Sequence, residues 1–591
     1  MREYFVCDSV TMALGAVEHE GHGTDEAPVA LFALIDHTPP RASELVGVAL
    51  SPRVGRAVYV PLLGADGALG EAGAGALRSW LADPQWRKVV HDAKAAHVAL
   101  AESGLRMEGL AGDVALASYR LDPTRIIPHT PLQIAREYLQ IGLTPPAVLT
   151  GTGKSRVSFA SLPVDRAGAF ACQYADAVGA AWQILRPRLV AEGQQEGLET
   201  VDLPLALVLA DMELAGVQVD RQALATLGDQ LKDERKALRK TIRELAGRAF
   251  NPASPKQLGE VLFEELGLPA VKQTKRGPSV DAEVLDALRD QHPIIAPVQR
   301  FRTVDQMVHT YTDVLTAAVR EDDGRIHPTL LATLSVSGRL HTTDPDLQRT
   351  PLHDPEFRTI RSAFVAREGH RLVAGDWSQM ELVVLAHLSG DAALSEALRS
   401  GQDLHVHTAR ALFETDTPTP EQRNAGKAIN YATIYGQGPR ALGKRLGVKM
   451  SEAKAWITQF FALYPDVERW RDETLQRAQA DGYVTTWAGR RRYLPDLWAG
   501  DPATRARAER QAINTPVQGS AADLCKTAMV KLAPEVGALG GRLLLQIHDE
   551  LLVETPLDAE ADVVATVRRV MEATGPLDVP LRAKVASGPT W

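Results

Sequence analysis

The chain has 591 residues, more than a single hydrophobic core usually holds, so the sequence predicts several domains. Hydrophobic residues make up 45% and charged residues 24%, which is the balance of an ordinary globular protein and excludes a disordered or fibrous chain. The formal net charge of -9 argues against a chain that is basic throughout, so any contact with phosphate groups would come from a local basic surface.

The pattern of apolar runs predicts a multidomain α+β or α/β protein. Residues 1 to about 190 read as alternating short strands and helices, and the polar stretch 191–200 is typical of a linker. Residues 201–325 are mostly helical, whereas residues 326–591 alternate strands and helices. There is no solenoid period and no low-complexity segment, so a repeat protein is excluded.

Cysteine usage and the N-terminus indicate a reducing environment. Cys7, Cys172 and Cys525 lie far apart and form no Cys-x-x-Cys pair, which argues against a disulfide framework and a zinc site. The first residues lack the basic-then-apolar pattern of a signal peptide, and no apolar run is long enough to span a membrane. We therefore expect a cytoplasmic protein with no membrane partner.

Positive charge is concentrated in one part of the chain. Residues 1–100 contain 8 Lys or Arg and 12 Asp or Glu, whereas residues 421–450 contain 6 Lys or Arg and 1 acid. A basic run is most often a solvated face, but this one contains regularly spaced aromatic residues. It is therefore a candidate for a phosphate-binding surface.

Two short segments each carry an acidic residue just after an apolar run. The run LVAG precedes Asp376, and the run LLL at 543–545 precedes the turn-prone segment HDE at 548–550. An Asp that follows a strand is usually only a turn residue, so neither segment alone identifies a site. Two carboxylates from distant strands can, however, hold two Mg²⁺ ions about 3.5–4 Å apart, which activates a hydroxyl and stabilises a departing pyrophosphate.

A third element lies between these two acids. Arg423, Lys427, Tyr431 and Tyr435 recur at steps of four, so on a helix they lie along one face. An ordinary amphipathic helix would show an apolar stripe at these positions. Two cations followed by two phenol rings suit a triphosphate followed by a sugar and a base.

Three motifs thus occur in order along the chain: DWSQMEL (376–382), RNAGKAINYATIYG (423–436) and HDE (548–550). They resemble DYSQIEL, RxxxKxxNFGxxYG and HDE of the family A DNA polymerases, the bacterial DNA polymerase I type. Two further stretches are also similar to sequences of this family: SGRLHTTDPDLQ (337–348) and RQAINTPVQGSAAD (510–523). The resemblance is strong from about residue 200 onward and weaker before it.

The resemblance implies a right-hand polymerase preceded by a ribonuclease H-like domain of the 3′–5′ exonuclease type. It places the exonuclease-like domain at residues 1–190, the thumb at 201–325, and the palm and fingers at 326–591, with the fingers near 390–505. The 5′-nuclease domain that precedes this region in many relatives is expected to be missing.

The resemblance also implies catalytic and metal-binding roles. Asp376, Asp549 and the backbone carbonyl of Trp377 are expected to bind two Mg²⁺ ions, for which Mn²⁺ can substitute. Glu550 is expected to assist without being an essential ligand. Phosphoryl transfer requires mainly positioning and charge neutralisation, so Lys427 joins the catalytic set.

A second set of residues is implied for the incoming nucleotide. Glu381 stands at the family position that blocks a ribose 2′-hydroxyl, although an acid in such a place could also be an ordinary surface residue. His405 matches a family histidine that contacts phosphate, and a structural histidine at a helix start is an alternative. The implied nucleotide-binding residues are Arg423, Lys427, Tyr431, Glu381, Gln379 and His405.

A third set matches family positions that contact primer and template. Such contacts fall mostly on phosphates and on minor-groove acceptors that all correct base pairs share, so they test shape without reading sequence. The residues are Arg339, Gln348, Tyr435, Arg510, Asn514, Gln518 and His548.

The first domain resembles a proofreading exonuclease that lacks its metal-binding acids. The resemblance puts Ala33, Ile35, Ala96 and Tyr174 at the four carboxylate positions of the family. Asp36 and Asp176 lie nearby, but alternation along a strand and the turn of a helix point them elsewhere. We therefore expect no proofreading activity.

The sequence thus predicts a template-directed DNA polymerase that uses primer-template DNA and deoxynucleoside triphosphates and acts as a monomer near the nucleoid. Two alternatives stay open. One is a polymerase with an active exonuclease whose acids lie elsewhere in the alignment, and the other is a DNA-binding protein with a vestigial polymerase body. A single-subunit RNA polymerase would share the two aspartates, but Glu381 favours deoxynucleotides.

Overall fold

A computed structural model describes residues 3–6, 14–15, 17, 23–36, 44–63, 71–274, 277–348 and 358–591 of the chain, and Cys7 lies outside these ranges. The chain divides into two compact units. The larger consists of Met1–Ala215, Thr329–His341 and Val373–Ala586, and the smaller of Gly216–Pro328, Thr342–Leu372 and Ser587–Trp591.

The larger unit begins with a six-stranded sheet. Its strands are β1 Glu3–Val6, β2 Val29–Ile35, β3 Leu45–Arg53, β4 Arg56–Pro61, β5 Lys88–Val90 and β6 Leu110–Asp113, in the order β1-β4-β3-β2-β5-β6. β3 pairs antiparallel with both β2 and β4, and the remaining pairs are parallel. β3 is buried along almost its whole length, as expected for an apolar strand covered on both faces.

Helices cover this sheet and close two cores. They are α1 Glu71–Ala82, α2 Ala93–Glu102, α3 Val114–Leu121, α4 Pro131–Ile134, α5 Pro146–Thr150, α6 Val164–Ala191, α7 Gln195–Gly197 and α8 Leu203–Ala215. α6 packs across β1 to β4 and forms one core with Leu34 and Tyr59. Leu31 and Val90 belong to the other core, because neighbouring strand residues alternate between faces.

The polar stretch 191–200 is not a linker in the structure. α7 and the π-helical turn Leu198–Asp202 lead directly into α8. The Gln194 side chain donates to the Gly489 carbonyl at 2.9 Å, and Arg491 donates to the Glu192 carbonyl at 3.0 Å. The polar residues of this stretch therefore bind another part of the same unit.

The smaller unit is mostly helical and has its own core around Leu258 and Phe301. Its longest helix, α9 Arg221–Ala246, begins where the Asp220 carboxylate accepts a hydrogen bond from the backbone of Ala223 at 2.9 Å. The other α-helices and strands in this part of the sequence are α10 Pro255–Gly259, α11 Ala282–Ala287, α12 Ile295–Gln306, α13 Asp313–Ala318, α14 Arg358–Arg361, β7 Val217–Gln218, β8 Gln273–Thr274, β9 Gly277–Pro278, β10 Arg325–Ile326, β11 Thr329–Leu331 and β12 His341–Thr343. Of these, β11 belongs to the larger unit.

The C-terminal part of the larger unit is built on a four-stranded sheet in the order β16-β17-β13-β18. The strands are β13 His370–Trp377, β14 Tyr483–Thr485, β15 Arg491–Tyr493, β16 Arg542–Ile547, β17 Glu550–Pro556 and β18 Ala583–Gly588. β14 and β15 form a separate hairpin.

Nine helices accompany this sheet within the described residues: α15 Met380–Ser389, α16 Ala392–Arg399, α17 Leu404–Phe413, α18 Pro420–Ile434, α19 Pro439–Leu446, α20 Met450–Leu463, α21 Pro465–Asp481, α22 Pro502–Ala538 and α23 Glu560–Glu572. Leu205 of α8 shares the core of this region with Leu382 and Leu551, so α8 packs against the C-terminal region. None of the helices in the described ranges is both long and apolar enough to cross a membrane.

Candidate active site

Two distant segments meet at one edge of the C-terminal sheet. Asp376 is the next-to-last residue of β13, and Asp549 lies in the two-residue turn that the pairing of Ile547 with Glu550 closes. The backbone N–H of Trp377 donates to the carbonyl oxygen of Asp549 at 3.1 Å. The structure therefore brings together the two strand ends that carry the predicted acidic pair.

The surroundings of these acids fit a divalent cation. Asp376 is exposed. Burial raises the pKa of Asp549, and the positive charges of Arg339 and His548 oppose this shift. No cluster of three or more His, Cys, Asp or Glu side chains suited to a metal ion occurs among the described residues. Two carboxylates and the Trp377 carbonyl are a sparse set of hard oxygen donors, which suits Mg²⁺ because this ion keeps water and phosphate in its shell.

The predicted cationic helix is α18. Thr419 and Gln422 form a capping box at its start, and Pro420 occupies the first turn, where a missing N–H has no cost. Arg423 and Lys427 line a cleft of about 600 Å³ that Asp376 also lines. The predicted phosphate-binding cations and one of the predicted metal ligands therefore face the same space.

Gln379, His405 and Lys584 also line this cleft, and burial lowers the pKa of His405 to about 4. This histidine is neutral near pH 7, so it can offer a hydrogen bond to a phosphate but not a charge. Its ring nitrogen lies 3.0 Å from the Asn430 amide, and its backbone N–H donates to Asp403, the N-cap of α17, at 2.9 Å. His405 can therefore be a structural residue at the start of α17 and also line the cleft.

Asp403 is a site residue that sequence reasoning missed. Its carboxylate accepts two hydrogen bonds from Arg423, at 2.7 and 2.9 Å. Burial disfavours the ionised form of Asp403, but the bonds and charge of Arg423 outweigh this and hold the pKa of Asp403 below its usual value. The sequence does contain a pattern that points to Asp403: an Asp two residues before a histidine at a helix start is typical of an N-cap.

Glu381 is buried, so it is not an ordinary surface acid. It accepts a hydrogen bond from Arg339 at 2.6 Å and one from the Tyr435 hydroxyl at 2.9 Å. Burial raises the pKa of Glu381, while Arg339 and Tyr435 oppose the shift. The Tyr435 ring stacks on Tyr431 with 5.9 Å between centroids. Two predicted DNA contacts and two predicted nucleotide contacts are thus linked in one group.

The remaining predicted DNA contacts fall in three places. Arg510, Asn514 and Gln518 follow one face of α22, and Asn514 Oδ1 is buried without a hydrogen-bond partner in the described part of the chain. His548 is exposed on the turn beside Asp549. Gln348 belongs to the smaller unit, where its backbone N–H donates to the Thr342 hydroxyl at 3.2 Å.

The positions matched to exonuclease acids are occupied by apolar packing. Ala33 and Ile35 pack against the core that contains Leu31, and Ala96 is buried. Tyr174 packs against Phe32 with 5.0 Å between ring centroids, and its hydroxyl donates to the Thr144 carbonyl at 2.9 Å.

The acids that remain near these positions are engaged elsewhere. Asp36 is buried and accepts hydrogen bonds from the Ser158 hydroxyl and, at 2.8 Å, from the Phe159 backbone. Asp176 accepts from the Tyr4 hydroxyl at 2.8 Å and from the Gly55 backbone at 2.6 Å. Both carboxylates therefore hold loops and strands of the domain together.

The family model described as DNA polymerase family A matches residues 221–591. The chain belongs to DNA polymerase family A. A second model, described as DNA polymerase I, ribonuclease H-like domain, matches residues 40–140. The predicted fold class, a ribonuclease H-like region followed by a family A polymerase region, is confirmed.

Curated relatives include DNA polymerase I of Geobacillus stearothermophilus, which is 36% identical over 600 residues, 100% of this chain and 65% of that protein. DNA polymerase I of Bacillus subtilis (strain 168) is 38% identical over 524 residues, 87% of this chain and 58% of that protein. The chain spans less than two thirds of either relative. A solved structure described as the POL domain of Pol1 from M. smegmatis in complex with DNA primer-template and dNTP is 33% identical, with a TM-score of 0.89 over 99% of each chain.

Close packing beneath the cationic face explains a glycine inside a family A helix. Gly426 lies in the middle of α18, where glycine costs about 1 kcal/mol relative to alanine. A Cβ at this position would lie 2.4 Å from the His405 carbonyl oxygen and 3.2 Å from the Ala409 Cβ, so α17 and α18 approach each other here.

We predict that Gly426→Ala destabilises the protein by about 1–3 kcal/mol despite its higher helix propensity, because the added methyl group overpacks the contact with α17. Gly75→Ala in α1 is the matched control, since a Cβ there meets nothing within 4 Å. Denaturant unfolding of both variants checks the expectation. Equal stability of the two would show that the contact tolerates a side chain.

Proposed function

We propose that this chain is a template-directed DNA polymerase that adds deoxynucleotides to the 3′ end of a primer. The observation that carries the proposal is the Trp377–Asp549 backbone hydrogen bond, which places Asp549 beside the strand end that carries Asp376 into the cleft. The M. smegmatis Pol1 structure, described as a complex with DNA primer-template and dNTP, supports the same substrates for this chain. We assign the exonuclease-like domain to residues 1–190, the thumb to 201–325 and the palm and fingers to 326–591, with the fingers near 390–505.

Asp376, Asp549 and the Trp377 carbonyl are the groups that would hold two Mg²⁺ ions. When bound, such ions activate the primer 3′-hydroxyl and neutralise charge on the departing pyrophosphate. Glu550 is buried at the start of β17, so it supports the turn at Asp549 more readily than it reaches a substrate. The protein contributes mainly the spacing of the carboxylates and the rigidity of the two strand ends.

The α18 face binds the nucleotide in this proposal. Arg423 and Lys427 contact the triphosphate from inside the cleft, and Gln379 and His405 line the same wall without adding positive charge near pH 7. Tyr431 offers a ring for the sugar and base. Ion pairing and positioning of this kind are what phosphoryl transfer requires from protein side chains.

Selection of the sugar rests on Glu381. Its buried carboxylate is held by Arg339 and Tyr435, so it cannot easily move aside for an additional hydroxyl. A ribose 2′-hydroxyl placed against Glu381 would face a carboxylate that already accepts hydrogen bonds from Arg339 and Tyr435. Deoxynucleotides are therefore the expected substrates.

Primer and template are bound by a set of polar residues in this proposal. Arg510, Asn514 and Gln518 offer a continuous polar face on α22, and the buried Asn514 oxygen is ready to accept a hydrogen bond. The full set that we assign to DNA is Arg339, Gln348, Tyr435, Arg510, Asn514, Gln518 and His548.

We predict that Asp376→Asn and Asp549→Asn each reduce primer extension by several orders of magnitude, because an amide lacks the charge that binds a cation. Affinity for primer-template DNA, measured by fluorescence anisotropy, should stay close to that of the wild type. Glu550→Gln should have a smaller effect. Asp558→Asn, an exposed aspartate in the same unit, is the control and should extend normally. Near-normal extension by either of the first two variants would refute the assignment.

We also propose that the exonuclease-like domain does not proofread. The four matched positions carry Ala33, Ile35, Ala96 and Tyr174, and the neighbouring acids are used in structural hydrogen bonds. A two-metal nuclease needs carboxylates that are free to bind cations. An active nuclease with acids elsewhere is the competing possibility.

We predict that a labelled single strand of DNA keeps its length when incubated with the pure protein and Mg²⁺ or Mn²⁺. The reason is the apolar packing at all four positions matched to metal ligands. Gel analysis over the time range of complete primer extension is the measurement. As the control, column fractions of the wild-type protein are assayed for both activities, since a contaminating nuclease would not follow polymerase activity through purification. Shortening that copurifies with the wild-type protein would contradict the proposal.

We predict that Tyr431 allows efficient incorporation of dideoxynucleotides, because it carries a hydroxyl that the Phe of the resembled motif RxxxKxxNFGxxYG lacks. A phenol hydroxyl can donate to the nucleotide phosphate when the 3′-hydroxyl is absent, and such a charged hydrogen bond contributes roughly 1.5–3 kcal/mol. Tyr431→Phe should therefore lower the ratio of dideoxy to deoxy incorporation by on the order of ten- to a hundredfold. An unchanged ratio would mean that the hydroxyl takes no part.

A further inference from the structure

A tight turn immediately precedes Arg339, the residue that binds Glu381. The Ser335 carbonyl oxygen accepts a hydrogen bond from the Gly338 N–H at 3.1 Å, which closes the turn. Gly338 has a φ of 86°, in the left-handed region that favours glycine. The direction in which Arg339 leaves the turn is therefore set by how the turn itself is held.

The exonuclease-like domain holds this turn from one side. The hydroxyl of Tyr119, in α3, donates to the same Ser335 carbonyl oxygen at 2.6 Å. Tyr119 is almost completely buried, and its ring packs edge-on against His129 with 5.5 Å between centroids. A ring fixed in this way gives its hydroxyl one position, so the bond to the turn is well defined.

Arg490 holds the turn from the other side. Its buried guanidinium donates to the Ser337 carbonyl at 2.7 Å and to the Asp523 carboxylate at 3.0 Å. A Cβ on Gly338 would lie 2.3 Å from the same guanidinium, so turn and arginine are in direct contact. A buried guanidinium moves little, because losing a partner would leave a charge without compensation.

The same interior contains a buried ion pair. Arg120, which follows Tyr119, forms an ion pair with Asp202 at 2.9 Å, and both side chains are buried. Lys526 is also buried, and its ammonium group lies 5.9 Å from the Tyr119 ring centroid. Tyr119 therefore sits within a dense set of charges and cannot shift independently of it.

From this geometry we propose that Tyr119 and Arg490 are positioning residues for the sugar-selecting group of Arg339 and Glu381. The exonuclease-like domain, which we propose has no nuclease activity, would thus contribute to substrate selection through its hydroxyl contact with the turn. The inference rests on the proposed polymerase function. An alternative is that the Tyr119 contact only joins the domains and adds stability without affecting the site.

The test compares two Tyr→Phe variants of the full chain. Tyr119→Phe removes the bond to the turn, whereas Tyr174→Phe removes a bond of the same kind, to the Thr144 carbonyl at 2.9 Å, elsewhere in the domain. For each protein, kcat/KM is measured for one ribonucleoside and one deoxynucleoside triphosphate on the same primer-template. Glu381→Ala gives the upper limit for loss of discrimination.

We expect Tyr119→Phe to raise the ratio of ribo to deoxy incorporation by about three- to tenfold, the range that one net hydrogen bond can account for. Tyr174→Phe should lose similar thermal stability and keep the wild-type ratio. An unchanged ratio in Tyr119→Phe, or an equal change in both variants, would overturn the inference. Wild-type protein that fails to extend a primer with deoxynucleotides would instead refute the proposed function, so the two failures are distinguishable.

Discussion

The pairing of β13 with the β16–β17 hairpin is the constraint on which the candidate site depends. The strands are held together by apolar residues behind the site, such as Val373, Leu551 and Val553, which belong to one buried core. Burial of such side chains stabilises the sheet by roughly 1.5–3 kcal/mol each. The acidic residues stand where this core ends, so the energy that forms the sheet also positions carboxylates that would otherwise repel each other.

Two carboxylates in this region have specific partners. The buried Glu381 is matched by Arg339 and Tyr435, and the half-buried Asp403 by Arg423. Burial of an unmatched charge is far more costly than burial of an apolar group, so each pair restricts where its helix or turn can lie. Burial raises the pKa of Asp549 as it raises that of Glu381, and the positive charges of Arg339 and His548 oppose the shift at Asp549.

Local features of the site could be predicted from the sequence, because they depend on residues close together in the chain. The four-residue spacing predicted a helix through Arg423, Lys427 and Tyr431, and α18 contains all three, with Tyr435 just beyond its end. The apolar runs before Asp376 and Asp549 are strands, as predicted.

The prediction of a linker at 191–200 is wrong, because its polar residues bind partners near residue 490 that composition does not reveal. The pairs Arg339–Glu381 and Arg423–Asp403 join separate segments, so only the folded chain shows them.

The Arg423–Asp403 ion pair means that the cleft is already partly neutralised before any ligand enters. In the proposed nucleotide-binding role, a triphosphate at Arg423 would have to compete with the Asp403 carboxylate 2.7 Å away, so its binding would exchange one anion for another. A weakly or singly charged anion would gain little from such an exchange, because its attraction to Arg423 is no stronger than that of the carboxylate it replaces. Multivalent phosphates gain more, because Lys427 and Lys584 line the same cleft and add to the attraction. In the proposed polymerase, the Asp403 carboxylate would thus favour triphosphates over the simpler anions of the cell.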